Sequence, residues 1–299
     1  MNYRILGRTN LKVSEIGLGA LEIGRDWPYW RKGENDFSRP DEREAIGLVH
    51  EAIDLGINFI DTAPAYFQSE ELLGKALKGK RHQVVLATKC GEWFDGQSSV
   101  YDYSAGATVR FIENSLRQLQ TDHVDLLQIH SGNLEVIRRG ETLDAMKKAQ
   151  KEGKVKFLGI SLDSEEAAHA ALDDAGYDTI QVSYSLLERS MEKTVFQKAL
   201  DRKIGVIVKD GLAAGRLTPK YGLLSDPVLK ERIKKSVDVA SHLGISLTEY
   251  AIRFILSDSP ISTVILGTKK VEHLRANVRC TEEASITGMI RENEDLFSL

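Results

Sequence analysis

Gly56-Ile57-Asn58-Phe59-Ile60-Asp61-Thr62-Ala63-Pro64-Ala65-Tyr66 is a short apolar run that stops at a carboxylate and then turns. Ile57–Ile60 reads as a β-strand, and Thr62-Ala63-Pro64 is turn chemistry. Two further runs share this build: Val84–Ala87 leads to Lys89, and Val124–Ile129 leads to His130. Each places a titratable side chain at or just past the C-terminal end of a strand. In a barrel of alternating strands and helices those ends share one mouth, where catalysis sits. A carboxylate (Asp61), a phenol (Tyr66), an ammonium (Lys89) and an imidazole (His130) gathered there suggest proton transfer to an oxygen.

Outward from these runs the chain alternates. Strand candidates are Glu15–Gly19, Ile57–Asp61, Val84–Lys89, Val124–His130, Lys156–Ser161, Thr179–Ser183, Gly205–Lys209 and Ser262–Gly267. Helix candidates between them are Glu42–Leu55, Ser69–Leu77, Ala107–Gln118, Thr142–Glu152, Ser164–Ala175, Glu192–Arg202, Pro227–Leu243 with Leu247–Leu256, and Val271–Arg279. Repetition at roughly 30-residue spacing implies parallel strands joined by right-handed crossovers. Eight such units in 299 residues predict a closed (β/α)8 TIM barrel in the α/β class. A doubly wound dinucleotide fold would need G-x-G-x-x-G after its first strand, and Gly17-Leu18-Gly19-Ala20 does not continue that spacing. With no linker and no low-complexity stretch, one domain over 1–299 is expected.

Composition narrows the function. Hydrophobic residues make up 42%, charged residues 28%, and the formal net charge is -4, so no basic field points to nucleic acid. Met1-Asn2-Tyr3-Arg4 lacks a signal-peptide core, and no apolar run reaches transmembrane length. The two cysteines, Cys90 and Cys280, give no disulfide framework. A cytoplasmic protein with no membrane partner is expected. Cys90, next to Lys89, is either a reactive thiol or a small buried residue, and the second reading is favoured. No H-x-H pair at a strand end supports a metal-dependent hydrolase, so no metal is expected. Two long loops leave the expected mouth, Glu22–Arg43 and Gly211–Asp226, where binding functions concentrate.

The run Gly56–Glu70 resembles the signature of the aldo-keto reductase superfamily, in which a strand ends in Asp, Tyr follows five residues later, and Glu comes shortly after. The resemblance spans nearly the whole chain. Leu6–Ser14 resembles the family's opening hairpin, so a short N-terminal β-hairpin is expected. Leu86–Lys89 resembles the strand of the catalytic lysine, and Asp122–His130 that of the catalytic histidine. Gly153–Ser161 and Gly267-Thr268-Lys269 fall at cofactor positions.

This resemblance implies an NAD(P)H-dependent reduction of aldehydes or ketones, or the reverse oxidation of alcohols or sugars. Tyr66 is implied as the acid, Lys89 as the ammonium that lowers the phenol's pKa, Asp61 as the partner that holds Lys89, and His130 as the group that hydrogen-bonds the carbonyl oxygen. Taken singly, Asp61 is also a turn residue, Tyr66 a loop aromatic, Lys89 a solvated strand end and His130 a core imidazole. Their joint placement on one rim favours the reactive reading.

By the same resemblance the dinucleotide crosses the mouth past Gly19 and Ala20, with Ser161 and Gln181 on the carboxamide. Leu162 stands where an Asn is common. Lys209 replaces a stacking Tyr. Asp210, Leu212 and Gly215 approach the pyrophosphate. Gly267, Thr268 and Lys269 suit a phosphate, and Lys269 favours NADP(H) without excluding NAD(H). His273 stands for Gln or Arg, Ala276 for Glu, and Asn277 matches the adenine contact. Trp27, Tyr29, Trp30, Trp93 and Phe94 are candidate walls for the substrate, a small carbonyl or sugar. A rival reading is a nicotinamide-binding regulatory subunit of the potassium-channel β-subunit type, which shares the fold and the four residues. The oligomeric state is unspecified.

Overall fold

The computed structural model describes residues 1–26 and 39–281. Trp27, Tyr29 and Trp30 lie outside the described residues.

The chain opens with an antiparallel pair, β1 (Tyr3–Ile5) and β2 (Lys12–Ser14). β3 (Ile16–Gly19), α1 (Leu21–Gly24), α2 (Glu42–Asp54), β4 (Phe59–Asp61), α3 (Ser69–Ala76) and β5 (Val85–Cys90) follow. A second antiparallel pair, β6 (Glu92–Phe94) and β7 (Ser99–Tyr101), precedes α4 (Ala105–Gln118). Next come β8 (Val124–Gly132), α5 (Leu134–Arg139), α6 (Glu141–Lys151), β9 (Val155–Leu162), α7 (Glu165–Asp173), β10 (Thr179–Ser183), α8 (Val195–Asp201) and β11 (Gly205–Lys209). The described chain ends with α9 (Pro227–His242), α10 (Leu247–Leu256), β12 (Ile261–Gly267) and α11 (Val271–Arg279).

Strands β3, β4, β5, β8, β9, β10, β11 and β12 close into a parallel barrel, with Gly267 of β12 opposite Gly19 of β3. This is the expected (β/α)8 barrel with its N-terminal hairpin. The β6–β7 hairpin and α5 were not anticipated. β4 starts two residues late because Asn58 is tied to the opening hairpin: its Oδ1 accepts from Ser14 N–H at 2.7 Å, and its Nδ2 donates to Lys12 O at 2.8 Å. Side-chain caps set several helix starts. Asp41 forms a reciprocal capping box with Glu44 at α2, and Ser104, Ser164, Asp226 and Ser246 accept first-turn amides of α4, α7, α9 and α10.

Side chains alternate across each strand, so every second residue faces the barrel axis. Phe59, Ala87, Leu126, Ile207 and Ile265 form the lower filling, and Leu6 and Val13 from the opening hairpin plug it. Burying each of the larger side chains contributes about 1.5–3 kcal/mol. The hairpin turn touches β11: a Cβ on Gly7, which sits at φ +52°, would fall 2.2 Å from Gly205 N, so only glycine fits there. The opposite strand faces pack under the helices in a larger apolar layer. Among the described residues no helix is long and apolar enough to cross a membrane.

Candidate functional site

Two residues above Phe59, Ala87, Leu126 and Ile207, the same inward faces turn polar. Asp61 stands above Phe59, Lys89 above Ala87, Gln128 and His130 above Leu126, and Lys209 above Ile207. β9 and β10 add Ser161 and Gln181, opposite one another in the ladder. Tyr66 arrives from outside the barrel, at the end of the 3-10 turn Pro64–Tyr66.

Lys89 is buried, and its three ammonium donors have three acceptors. Nζ donates to Asp61 Oδ2, to Thr62 O at 3.1 Å and to Tyr66 Oη at 3.2 Å. Asp61 is fully buried, and its Oδ1 accepts from Gln128 Nε2 at 3.0 Å and Gln181 Nε2 at 2.9 Å. A buried charge pair is tolerated when its remaining lone pairs and protons are bonded, as here. The Tyr66 and His130 rings meet edge to face, with centroids 5.8 Å apart. The structure therefore gathers Asp61, Tyr66, Lys89 and His130 at one point.

Burial dominates their acid-base behaviour. It lowers the Lys89 pKa against the opposing Asp61, Glu92 and Glu70 charges. It raises the Tyr66 phenol well above its ordinary 10.0, helped by Asp61, Asp210 and Glu92 and opposed by Arg25. The lowered phenol pKa that the resemblance implies is thus absent in the resting protein, where the hydroxyl keeps its proton. Burial, followed by the Lys89, Lys209 and Arg25 charges, holds His130 well below its ordinary 6.5, so the imidazole is neutral. Cys90 is buried and its thiol is pushed up to about 12, which leaves the small buried residue rather than a reactive thiol.

The rim is built from strained turns. Phe67, Ser131 and Asp210 have φ of 57°, 50° and 56°, and each directly follows a site residue, Tyr66, His130 or Lys209. Such conformations cost on the order of 1–3 kcal/mol each and persist only where neighbours fix them. One fixing group is Tyr103, whose Oη lies 2.9 Å from His130 O and 3.1 Å from Ser131 O. It fits because Gly91, at φ +97°, has no Cβ; one would sit 2.5 Å from the Tyr103 ring.

Several site residues escape sequence reasoning. Glu92 in β6 places Oε2 3.1 Å from His130 Nδ1 and accepts from Ser131 Oγ at 3.2 Å. Arg25 stacks 3.7 Å over the Phe94 ring, donates to Ala65 O at 3.1 Å, and lies within electrostatic reach of Glu92 and Tyr66. Gln128 was legible in principle, because it precedes His130 by two and shares its face. Trp93 is adjacent to Glu92 in a strand and therefore points the other way. It packs on Phe111 of α4 at 5.7 Å and lines a cavity of ≈ 750 Å³ with Phe67, Phe94 and Pro64, which none of the four central residues lines.

The positions assigned to the cofactor flank the four residues. Ala20, just past Gly19, donates its N–H to Asp61 O at 2.9 Å. Ser161 Oγ accepts from Lys209 Nζ at 3.2 Å, and Lys209 pairs with Asp163 at 2.6 Å. Gln181 has committed its Nε2 to Asp61, and its Oε1 accepts no hydrogen bond among the described residues. Leu162 is buried. Asp210 accepts from Ser183 Oγ at 3.0 Å, and Leu212 and Gly215 follow in the loop after β11. Thr268, buried after Gly267, accepts from Lys270 N–H at 3.1 Å, and α11 begins without a side-chain cap. His273 is exposed on that helix, Ala276 is partly buried and Asn277 is buried. Glu22 reaches this end: its Oε1 is 3.3 Å from where a Gly267 Cβ would stand. Burial raises its pKa, and Lys269 and Lys220 oppose that.

Residues 15–288 match the model of the aldo/keto reductase family. The chain is 34% identical to L-galactose dehydrogenase of Arabidopsis thaliana, over 98% of this chain and 92% of that one. Among solved structures it resembles an aldo-keto reductase of Bacillus halodurans in its holo form, with a TM-score of 0.84, 29% identity and coverage of 100% and 97%. It also resembles a glycerol dehydrogenase of Gluconobacter oxydans, with a TM-score of 0.80, 27% identity and coverage of 99% and 94%. A matching family model over most of the chain, on a closed barrel of the expected topology, places this protein in the aldo/keto reductase family of oxidoreductases.

Proposed function

We propose that this protein interconverts small aldehydes or ketones, sugars included, with their alcohols, using a nicotinamide dinucleotide and Tyr66 as the general acid and base. The observation that carries this is Lys89 Nζ held between Asp61 and the Tyr66 hydroxyl, 3.2 Å from the latter, at the barrel mouth. The surroundings fit the dinucleotide. Gln181 Oε1 and Ser161 Oγ suit a carboxamide, and the open first turn of α11 with Thr268 and Lys269 suits a phosphate. When bound, a reduced nicotinamide supplies the hydride.

The chain's own residues manage the oxygen. Tyr66, protonated at rest, hydrogen-bonds the carbonyl oxygen and delivers its proton as negative charge develops there. The Lys89 ammonium stabilises the phenolate left behind, and Asp61 keeps that ammonium charged and aimed. In oxidation the same phenolate takes the alcohol's proton. His130 lines the other side of the reacting oxygen. The L-galactose and glycerol dehydrogenases above support a hydroxylated substrate. Lys269 supports NADPH over NADH, tempered by the Glu22 carboxylate beside it.

Tyr66→Phe tests the assignment. It should leave NADPH binding by fluorescence titration unchanged and lower kcat by about 10²–10⁴. Turnover at the original rate would mean that another group protonates the oxygen.

A further inference from the structure

α3 and α4 touch at Gly74, where a Cβ would fall 2.3 Å from Gln118 O. N-terminal to that contact, the ≈ 750 Å³ cavity opens between the two helices, outside the barrel. Pro64, Phe67, Trp93, Phe94 and Phe111 wall it. Phe67 meets Phe94 edge to face, with centroids 6.0 Å apart, and Trp93 meets Phe111 at 5.7 Å. A cavity of this size and aromatic character suits a small organic molecule.

Glu70 brings a carboxyl into this lining, and the residue is only 3% exposed. Its Oε1 accepts from Thr88 Oγ1 at 2.6 Å, and the buried Ser115 Oγ of α4 lies beside it without an aligned hydrogen bond. Among the described residues no cation pairs with it. Lys89, which acts on it from β5, has its three donors on Asp61, Thr62 and Tyr66. Arg110, Glu113 and Arg117 of α4 also line the cavity, but each has a partner. Arg110 pairs with Asp102 at 3.6 Å, Glu113 with Lys154 at 2.6 Å, and Arg117 donates to Asn114. A buried carboxylate without a counter-ion is costly, and burial raises the Glu70 carboxyl to about 7.

We propose that this cavity is a second ligand site, separate from the barrel mouth, that takes an arylalkyl ammonium with Glu70 as its counter-ion. The ligand's charged nitrogen takes the place of the carboxyl proton, which leaves to solvent, and donates to the carboxylate. The aryl group packs among the five apolar walls, whose rings also favour a cation. An anionic ligand would meet Arg110 only at the rim, where that side chain is 74% exposed, and would face the Glu70 carboxyl within. Asp61, Tyr66, Lys89 and His130 do not line the cavity, so the site stands apart from the reaction at the mouth.

Isothermal titration calorimetry on the full-length protein tests this with phenethylamine and its neutral counterpart phenylacetamide. At pH 8 the native protein should bind the amine about tenfold tighter, the effect of one hydrogen bond to a charged group. Glu70→Gln should erase that preference. Asn114→Trp, which fills the cavity from α4, should remove binding of both compounds. No binding of the amine at millimolar concentration, or equal binding of the two compounds by the native protein, overturns the proposal. So does an unaltered preference in a folded Glu70→Gln or unaltered binding in a folded Asn114→Trp. The unmodified protein gives a test that needs no variant. At pH 6 Glu70 holds its proton, so amine binding should release about one proton, read from titrations in buffers of different ionisation heat. Binding without proton release overturns the role given to Glu70.

Discussion

The floor and the mouth of this barrel are built from the same strands, one inward residue apart, and obey opposite rules. At the floor, Phe59, Ala87, Leu126 and Ile207 fill space with the plug residues Leu6 and Val13 and make no polar demand. At the mouth, Asp61, Lys89, Gln128 and Lys209 continue the same faces with groups that are costly to bury. The difference shows how one layer depends on the other. Packing below contributes the stability that the mouth spends on a desolvated ion pair and on three left-handed residues beside it.

Substitutions separate the two layers. The largest combined effect is expected from Lys89→Met at the mouth. It strands Asp61 as an uncompensated buried charge, which costs about 3–5 kcal/mol of stability. It should also abolish most turnover; chemical denaturation and steady-state kinetics read the two. Phe59→Ala at the floor should cost a similar 3–5 kcal/mol through its cavity while kcat of the folded fraction stays close to native. If kcat falls as it does in Lys89→Met, the layers are not separable.

Glu70 lies outside the barrel, on α3 behind β5, accepting from Thr88 Oγ1 at 2.6 Å. Burial raises its carboxyl from 4.5 to about 7. The folded state therefore holds a proton that the unfolded state has released between those values. Stability contributed by the neutral acid is full below 4.5 and falls as pH rises towards 7, by about 3 kcal/mol in total. Glu70→Gln should flatten that slope in denaturant titrations at pH 5 and pH 7; an unchanged slope would place its source elsewhere. A smaller effect is expected at the rim. Lys269→Ala should weaken NADPH about tenfold and NADH less. Equal weakening would remove the NADPH preference assigned to Lys269. The smallest effect is no effect: Cys90, beside Lys89 but buried, should resist alkylation in the folded protein, as mass spectrometry would show.

Much of this was written in the chain. A strand end can be read locally, because short apolar runs lead to Asp61, Lys89 and His130. The helices α10 and α11 matched their expected limits, Leu247–Leu256 and Val271–Arg279, since Ser246 and the flanking turns mark them. Trp93 was expected at the mouth because it follows Lys89 closely. The unforeseen β6–β7 hairpin instead gives the inward face to Glu92 and turns the indole to α4. The direction of the Tyr66 pKa also required the structure: burial, with the Asp61, Asp210 and Glu92 charges, raises it, and Arg25 opposes.

Sequence by itself determined the alternation, the barrel and the identity of the residues at its strand ends, because propensity, side-chain period and turn chemistry act over a few neighbouring residues. Tertiary structure alone decided which of them touch. Gln128 and Gln181 reach Asp61 from 67 and 120 residues away, and Glu92 meets His130 through a separate hairpin. Those partnerships follow from ladder register and barrel closure, which depend on how distant strands pair and not on what precedes or follows each residue.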